Sequence, residues 1–282
     1  MVSCVPGGRA RSVLAGGPGA RFADVRWVGD TGSTNADAME LARQGEREGI
    51  VLVADHQTAG RGRAGRTWTA PPGAGLLLSV LLRPPAPVVA LATMAVAVAA
   101  VSAVESVAGF SPRVKWPNDL VWPGDGSASD RKLAGILSEA DWPASSAISA
   151  GWKEPAPHDR AVVVVGIGIN VAWPDDLPDE LESIAVAINH VVSIPVDRED
   201  LLIELLSALG PRYDALVEGD RTGLLAEWRS RSATLGRIVR VDLGTDDVEG
   251  TAVDVTDEGH LVVETLEGER RVFAVGDVVH LR

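Results

Sequence analysis

A glycine- and arginine-rich segment at positions 57–68, QTAGRGRAGRTW, carries residue types suited to binding an anion. Arg61, Arg63 and Arg66 offer planar, permanently charged donors for carboxylate or phosphate, and the glycines between them let the backbone approach a ligand closely. Trp68 closes the segment, and an indole is costly to leave in water. The chain as a whole has a formal net charge of −13, so this local cluster of cations is unusual within it. We therefore predict a flexible loop that folds over an anionic ligand.

The glycines of this loop, Gly60, Gly62 and Gly65, also match the spacing of the dinucleotide-binding fingerprint. That fingerprint follows a strand directly, opens a helix and is answered by an acidic residue about 20 positions later. Here prolines follow at 71–72 and positions 79–87 hold no Asp or Glu, so we interpret the match as accidental. A solvated surface turn is the other alternative, and the tryptophan at the end of the loop argues against it.

A second segment, KWPND at 115–119, combines a cation with two kinds of oxygen around a turn fixed by proline. Phosphate chemistry needs cations and usually a magnesium ion held by carboxylate or amide oxygen. Lys115, Asn118 and Asp119 provide both. The same residues also suit a surface ion pair beside a turn, and the segment alone leaves both interpretations open.

Two apolar runs carry unusual residues in positions that a strand would bury. In RKLAGIL, at 131–137, Lys132 is embedded beside Gly135, where a purely structural lysine is expected to point outward. The alternative is a solvated lysine at the end of a strand, and spacing does not separate the two. In VGIGIN, at 165–170, two glycines indicate either a bulge or a flat floor for a ring, with Asn170 at its rim.

Hydrophobic periodicity predicts the elements that must position these segments. The predicted strands cover 23–30, 50–54, 75–82, a hairpin of 113–122 and 131–141, and 161–171. The predicted helices cover 36–48, 87–108, 200–217 and 224–232. Ser33, Thr34 and Asn35 supply capping side chains for the first helix, and Pro211 is expected to kink or divide the third. A polar turn at 124–130 is expected inside the hairpin.

The two ends of the chain differ from its middle. Residues 1–21 are rich in Gly and Arg without periodicity, which predicts a disordered leader. After about Ser232, short alternating strands separated by turn residues predict a small β-barrel. A single core stops growing near roughly 250 residues, so for this chain of 282 residues we expect two units, at 22–231 and 232–282.

The composition is that of a soluble globular protein, with 46% hydrophobic and 23% charged residues. The acidic balance argues against broad binding to nucleic acid or to a membrane surface, because both need clustered cations. Cys4 is the single cysteine and the five histidines are scattered, so we expect no disulfide framework, no zinc site and a cytoplasmic location. The uncharged run at 84–104 is interpreted as a buried core helix and not as a membrane span.

The four segments, together with Ser-Thr-Asn at 33–35 and in this order, resemble the biotin protein ligases. The resemblance extends from about Ala23 to the C-terminus. It implies an α+β fold, in which a mixed β-sheet is flanked by helices as in class II aminoacyl-tRNA synthetases, followed by a small SH3-like C-terminal barrel. Residues 1–21 are too short for the DNA-binding domain that some members carry, so we expect a ligase without repressor function.

The resemblance also implies a reaction in two steps. The carboxylate of biotin attacks the α-phosphate of ATP to form biotinyl-AMP, with Mg²⁺ as the expected metal ion. A lysine amine of a biotin carboxyl carrier protein domain, the expected partner, then attacks the acyl group. We expect no nucleic-acid or membrane partner, and a monomer or weak homodimer.

Roles for individual residues follow from the resemblance. Lys132 would hold the biotin carboxylate and then the acyl-phosphate, while Arg63 would order over the adenylate. Trp68 would stack near the adenine side, and Asp119 is the expected magnesium ligand. The biotin-binding set is Ser33, Thr34, Asn35, Gln57, Gly60, Arg61, Arg63, Trp68, Lys132, Gly135, Ile136, Gly166 and Gly168. The ATP-binding set is Arg63, Arg66, Trp68, Lys115, Asn118, Asp119, Lys132 and Asn170.

Two alternatives to this interpretation have different chemistry. A lipoate ligase shares the core fold and the adenylation chemistry but prefers a different ring. A non-catalytic nucleic-acid binder would use the arginine loop against phosphate and Trp68 as a stacking platform. The net charge of −13 and the absence of other basic stripes disfavour the second alternative.

Overall fold

Apolar runs build a seven-stranded mixed sheet at the centre of the protein. The computed structural model describes residues 6–123, 130–142, 147–148, 151–152, 159–244 and 246–281. The strands of the sheet are β1 (Asp24–Thr31), β2 (Ile50–Gln57), β3 (Gly75–Leu82), β4 (Arg113–Lys115), β5 (Asp119–Trp122), β6 (Arg131–Asp141) and β9 (Val162–Asn170). Their order is β1-β2-β3-β9-β6-β5-β4, and only β1 and β2 pair in parallel. Two short strands, β7 (Ala147–Ile148) and β8 (Gly151–Trp152), pair separately.

Helices cover both faces of this sheet, as expected. They are α1 (Gly8–Ala15), α2 (Thr34–Arg43), α3 (Leu91–Ala108), α4 (Asp179–Glu182), α5 (Ile188–Val191), α6 (Arg198–Val217) and α7 (Thr222–Arg231). Because side chains alternate along a strand, Leu76, Leu78 and Val80 join the large core with α3 and α6. Leu81 joins a smaller apolar cluster under α2. The mixed α+β architecture predicted from the sequence is therefore confirmed.

Helix α3 is the core helix of the larger unit. It is long and apolar enough, by length and composition, to cross a membrane. It is nevertheless mostly buried inside the protein, where it packs against α6 and α7 and against the central sheet. A helix that is apolar on all sides belongs in such a core, which agrees with the interpretation of the uncharged run.

The prediction of a disordered leader is wrong for residues 6–21. Helix α1 packs on α6 and buries Ala10 and Leu14 completely. Arg9 pairs with Asp197 at 2.8 Å and with Asp200 at 2.6 Å, at the start of α6. The physical reason is a contact with a distant part of the chain, which local composition does not report.

Helix α6 runs without a break through Pro211, where a kink or division was expected. Asp197 caps its start by accepting bonds from the N–H groups of Glu199 and Asp200. Buried side chains continue on both sides of the proline, including Leu209 and Tyr213. Packing along the whole helix thus offsets the hydrogen bond that proline cannot make.

The C-terminal residues form a separate five-stranded antiparallel sheet. Its strands are β10 (Ile238–Asp242), β11 (Asp247–Val255), β12 (Leu261–Thr265), β13 (Arg270–Phe273) and β14 (Asp277–His280), in the order β13-β12-β11-β10-β14. Among the described residues β13 and β14 do not pair, so a closed SH3-like barrel is not confirmed. The expected turn at 124–130 lies outside the described residues except for Asp130, and the boundaries at 22–231 and 232–282 stay predictions.

Candidate active site

A cavity of about 410 Å³ lies at the edge where α2, the arginine loop, the β4–β5 turn and strands β6 and β9 meet. The C-terminal sheet closes one side of it with Asp242, Asp277, Val278 and Val279. The cavity brings together all of the predicted site residues except Gly60 and Asn170. Those that line it are Ser33, Thr34, Asn35, Gln57, Arg61, Arg63, Arg66, Trp68, Lys115, Asn118, Asp119, Lys132, Gly135, Ile136, Gly166 and Gly168.

The first turn of α2 supplies a buried polar group to the cavity. Ser33 occupies the N-cap position, but its side chain makes no capping hydrogen bond. The N–H and hydroxyl of Thr34 instead contact Oε1 of Gln57 at 2.8 and 3.0 Å. The predicted capping residues therefore hold the end of β2 in place.

Asn35 extends this polar group across the sheet. Its Nδ2 donates to Oε2 of Glu139 at 2.9 Å, and its Oδ1 accepts from the Ser79 hydroxyl at 2.6 Å. Gly166 is required here because a methyl group on its α-carbon would overlap Asn35 Oδ1. The bare backbone at this position therefore serves the asparagine, whereas we had expected it to form a flat floor for a ring.

The lysine of β6 reaches the cavity because of an irregularity in the strand. The β5–β6 register shifts between Leu120, which faces Ala134, and Val121, which faces Lys132. A β-bulge inserts one residue and re-aims side chains. In a regular strand Lys132 and Gly135 would point to opposite faces. Here a Cβ on Gly135 would lie only 3.1 Å from Lys132 Nζ, so both residues face the cavity.

The Lys132 ammonium has two neighbours in the cavity. Its Nζ lies 2.7 Å from Asp119 Oδ1 and forms an ion pair with it. The angles at that oxygen do not meet those of a hydrogen bond. The Trp68 ring centroid lies 5.5 Å away, within range of a cation–π contact. The backbone of Lys132 is fixed by bonds from its N–H to Ile184 O and from the Val186 N–H to its carbonyl.

The glycine floor formed by Gly135 and Gly168 is covered by the indole of Trp68. These glycines face each other across β6 and β9. A methyl group would lie 2.8 Å from Trp68 Cζ3 at Gly135 and 2.6 Å from Trp68 Cε2 at Gly168. Gly135 and Gly168 thus form a flat surface, and the ring that rests on it in this structure is the indole of Trp68. Trp68 Nε1 is buried there without a hydrogen-bond partner.

The β4–β5 turn places Lys115 and Asp119 opposite each other at its base. Burial lowers the pKa of Lys115, and the charges of Asp119 and Asp130 partly oppose that effect. Asn118 ties the turn to β6, because its Nδ2 donates to Ile136 O at 2.6 Å. Its Oδ1 accepts from Arg63 Nη1 at 3.3 Å. Asn118 therefore links the turn to the arginine loop.

The arginine loop is exposed and is held by its charges. Arg61 pairs with Glu139 at 3.0 Å, and Arg66 forms an ion pair with Asp277 of the C-terminal sheet. Arg63 is half-buried, and burial is the main cause that lowers its pKa. Ala64 adopts a left-handed backbone conformation, with φ of 54°, within the single 3₁₀ turn of the loop.

Two predicted site residues lie outside the cavity wall. Gly60 closes the base of the loop, where its carbonyl accepts from the Trp68 N–H at 3.0 Å. Asn170 was expected at the rim but is buried, and its Nδ2 donates to Val186 O at 3.0 Å and contacts Lys132 O at 3.4 Å. Asn170 therefore connects the end of β9 to Lys132 and to Val186, the residue whose N–H bonds to the Lys132 carbonyl.

Sequence reasoning missed several residues that shape the site. Ser79 is a single polar residue in an apolar strand, and that signal was visible in the sequence. Glu139 has no such signal, because its strand ends in several polar residues. Asp242 and Asp277 come from the C-terminal sheet, and only the tertiary structure brings them to the cavity, where Asp277 pairs with Arg66 of the arginine loop.

Comparisons with known proteins identify a family for this chain. Residues 31–146 match the biotin/lipoate A/B protein ligase family, and residues 234–281 match the biotin protein ligase C terminal domain. A biotin–[acetyl-CoA-carboxylase] ligase of Mycobacterium tuberculosis is 37% identical over 273 residues, which cover 96% of this chain and 93% of that protein. The chain belongs to the biotin protein ligase family. The resemblance predicted from the sequence motifs is therefore confirmed, and this biotin protein ligase is an enzyme.

Two further relatives extend the comparison. The bifunctional ligase/repressor BirA of Bacillus subtilis is 34% identical over 246 residues, or 86% of this ligase and 70% of that protein. The solved biotin protein ligase of Aquifex aeolicus in complex with biotin and ATP has a TM-score of 0.72 at 24% identity. It covers 92% of this ligase and 99% of its own chain, and shows the same fold.

Proposed function

We propose that this ligase activates biotin as biotinyl-AMP and transfers the biotinyl group to a lysine of a biotin carboxyl carrier protein domain. In the first step a carboxylate oxygen of biotin bonds to the α-phosphorus of ATP, and the bond to the leaving pyrophosphate breaks. In the second step the lysine amine bonds to the acyl carbon, AMP leaves and the amine loses a proton. The observation that carries this proposal is the bulge that brings Lys132 into a cavity walled by three arginines.

Lys132 suits the first step because two anions must meet there. Its ammonium is balanced by Asp119, 2.7 Å away, and is held against Trp68. A biotin carboxylate can join or replace Asp119 at this ammonium. The same ammonium then offsets the charge that grows on the acyl-phosphate oxygens in the transition state.

The arginine loop suits the role of a cover for the adenylate. Arg61 and Arg66 are paired with carboxylates at exposed positions, and such pairs contribute only about 0–1 kcal/mol. Phosphate oxygens can therefore replace those carboxylates at little cost. The unpartnered Trp68 Nε1 costs about 1–3 kcal/mol in its present position. A rearrangement of the loop over a ligand recovers that energy and excludes water from the reactive anhydride.

The polar group at the start of α2 suits the cyclic urea of biotin, which has two N–H donors and one carbonyl acceptor. Thr34, Asn35 and Gln57 hold hydroxyl and amide groups in fixed positions beside the floor. We place the ring of biotin between this group and the indole of Trp68. The adenylate then extends toward Lys115 and the arginine loop.

Magnesium fits the site only together with the nucleotide. No group of three His, Cys, Asp or Glu side chains that could hold a metal ion occurs in the part of the chain that the structure describes. Mg²⁺ is commonly held by one or two carboxylates plus substrate phosphates, and Asp119 offers one carboxylate at the cavity wall. Asn118 is already engaged by Arg63 and Ile136. The ion would neutralise charge on the triphosphate.

The carrier and the setting of the reaction are also proposals. The relatives in Mycobacterium tuberculosis and Paracoccus denitrificans are named as ligases for acetyl-CoA carboxylase, which supports a carboxylase carrier domain as the acceptor. The single cysteine supports a cytoplasmic location. We expect a monomer or a weak homodimer.

The test measures pyrophosphate release by the purified full chain. Release is expected only when biotin, ATP and Mg²⁺ are all present, with each omitted in turn as a control. Addition of a carrier domain should then move the biotinyl group to one lysine, which intact mass and peptide mapping detect. Activity with lipoate in place of biotin would favour a lipoate ligase. Steeply salt-dependent RNA binding with no response to biotin would favour the nucleic-acid alternative.

A further inference from the structure

A chain of buried hydrogen bonds connects the two sheets beside the cavity, and one of its residues, Trp116, lines the cavity. Nδ1 of His280, in β14, lies 2.8 Å from Oδ2 of Asp130, which precedes β6. Nε2 of the same ring lies 3.3 Å from Thr234 Oγ1, and that oxygen accepts from the Trp116 N–H at 3.0 Å. The side chains of Asp130 and His280 are only 7% and 10% exposed. None of these four residues has a role in the proposed reaction.

The neighbours assign one tautomer to His280. Arg237 Nη1 lies 3.2 Å from Nδ1, but it is closer to Asp130 Oδ2, at 2.9 Å, and donates there. Asp130 Oδ2 lies 2.8 Å from Nδ1 and a carboxylate only accepts, so Nδ1 carries the proton that is donated to Asp130. In the neutral ring Nε2 is then an acceptor, which the Thr234 hydroxyl can satisfy by donating to it. The Thr234 oxygen keeps a lone pair for the Trp116 N–H. Every donor in this chain therefore has one acceptor.

The charges around the ring favour its neutral form. Burial lowers the pKa of His280 most, and the cations Lys115 and Arg237 lower it further. The hydrogen bond and charge of Asp130 oppose this effect. Arg237 also pairs with Asp130 at 2.9 Å, so that carboxylate serves the ring and the guanidinium together.

The two ends of this chain lie next to the proposed reacting groups. Asp130 precedes Lys132 by two residues, and Trp116 follows Lys115 directly. We infer that His280 is a positioning residue, which holds the C-terminal sheet against the two strand segments that carry Lys132 and Lys115. The inference rests on the roles proposed for those lysines. It gives the C-terminal sheet a part in the reaction that does not require it to touch a substrate.

Protonation of His280 should weaken this arrangement. A second ring proton converts Nε2 from an acceptor into a donor and adds a cation beside Arg237 and Lys115. The folded-state pKa is lowered from the ordinary value of 6.5, so the contribution to stability is full above that value. It is lost as the pH falls below about 6.5. Lys115 and Lys132 should become less well placed over the same range.

The test compares His280→Ala and His280→Asn with the wild-type ligase. Ala removes both ring bonds and should raise the KM for ATP and lower kcat, by about 10-fold in kcat/KM. Asn keeps a donor for Asp130 and should recover part of that loss. A matched control is His190→Asn, because the hydrogen bonds of the His190 ring within the described part of the chain go to backbone atoms of Ala187 and Pro174, and its kinetics should not change.

Two readouts separate positioning from a general loss of structure. The wild-type KM for ATP should rise only as the pH falls below the ordinary histidine value of 6.5 and through the lowered folded-state pKa of His280, and His280→Asn should flatten that rise. Ring nitrogen NMR should show the neutral Nδ1–H form of His280 at neutral pH. A folded His280→Ala protein with wild-type KM and kcat, or an Nε2–H ring, would overturn the inference. Absence of pyrophosphate release by the wild-type chain would overturn the proposed function instead, and the NMR result would still decide the hydrogen-bonded chain.

Discussion

The arginine loop and the floor of the cavity are both rich in glycine, yet they use it in opposite ways. The loop has no buried residue in its 3₁₀ turn and is fastened by ion pairs from exposed side chains. Gly135 and Gly168 instead lie in a continuous antiparallel ladder between β6 and β9. The permanent charges of the loop therefore sit on an exposed turn outside the sheet, whereas the surface that defines the shape of the cavity is part of the sheet. This division suits a reaction that must admit two anions and then exclude water.

Removal of the cation that β6 presents to the cavity should have the largest effect. Lys132→Ala should lower the rate of pyrophosphate release by about 100-fold or more, because an oxyanion partner is lost in the transition state. Arg131→Ala removes a neighbouring cation of the same strand that does not line the cavity, and it should stay within about 2-fold. Near-normal turnover of Lys132→Ala would place the reacting anions elsewhere.

Addition of a methyl group to the glycine floor should have the next largest effect. In Gly168→Ala the added carbon would lie 2.6 Å from Trp68 Cε2, so the indole must shift and the space beside it changes. Such overpacking costs about 1–3 kcal/mol, and we expect the KM for biotin to rise about 10-fold. Gly29→Ala, in β1, adds the same methyl where no atom lies within 4 Å. Calorimetric titration should show weaker biotin binding for Gly168→Ala and unchanged binding for Gly29→Ala. Equal losses of affinity in the two variants would contradict the role of the floor.

Loss of a loop charge should alter retention of the intermediate more than its formation. Arg63→Gly removes a half-buried guanidinium, and hydrogen bonds to charged groups contribute about 1.5–3 kcal/mol. Biotinyl-AMP should therefore leave about 10- to 100-fold faster and label exposed lysines without selection. Arg63→Lys keeps the charge without the planar guanidinium, and its release rate should lie between those of the wild-type ligase and Arg63→Gly. An unchanged release rate would show that the loop does not cover the adenylate.

The smallest change concerns an exposed pair that fastens the loop. Asp277→Asn should alter the free energy of unfolding by no more than about 1 kcal/mol, because the Arg66–Asp277 pair is exposed. It should also tighten ATP binding by about 2- to 3-fold at low salt, since Arg66 no longer has a competing carboxylate. Asp254→Asn breaks an exposed pair with Arg229 elsewhere and should leave ATP binding unchanged. Weaker ATP binding by Asp277→Asn would mean that the pair holds Arg66 in its productive position.

The sequence predicted elements best where local signals agree with burial. Strand β3 has the predicted bounds, 75–82, because its apolar run is continuous and lies in the centre of the sheet. The capping signal at 33–35 correctly marked the start of α2, but these side chains bond across the sheet and do not cap the helix. A pattern of neighbours along the chain does not contain such cross-sheet bonds.

The remainder depended on contacts between distant positions. Helix α1 is stabilised by the charges of Asp197 and Asp200, which lie 188 and 191 residues further along the chain than Arg9. The motifs could be found in the sequence because each contains an unusual residue type. The contributions of Asp277 and His280 could not be found there, because they arise only when the C-terminal sheet packs against the rest of the protein. Asn170 was misplaced because the polar end of a strand does not reveal whether it faces the cavity or the support behind it.

The register shift in β6 sets a limit on how this strand can change. Between Lys132 and Gly135 the alternation of side chains between the two faces of the strand is interrupted once. The Lys132 amine and the backbone of Gly135 therefore lie on the same face. Deletion of a single residue there would restore an ideal ladder with β5. The amine and the glycine would then be two residues apart and would still share one side, whereas a regular strand that kept all of its residues would turn the amine to the side of Ala134, in the large core.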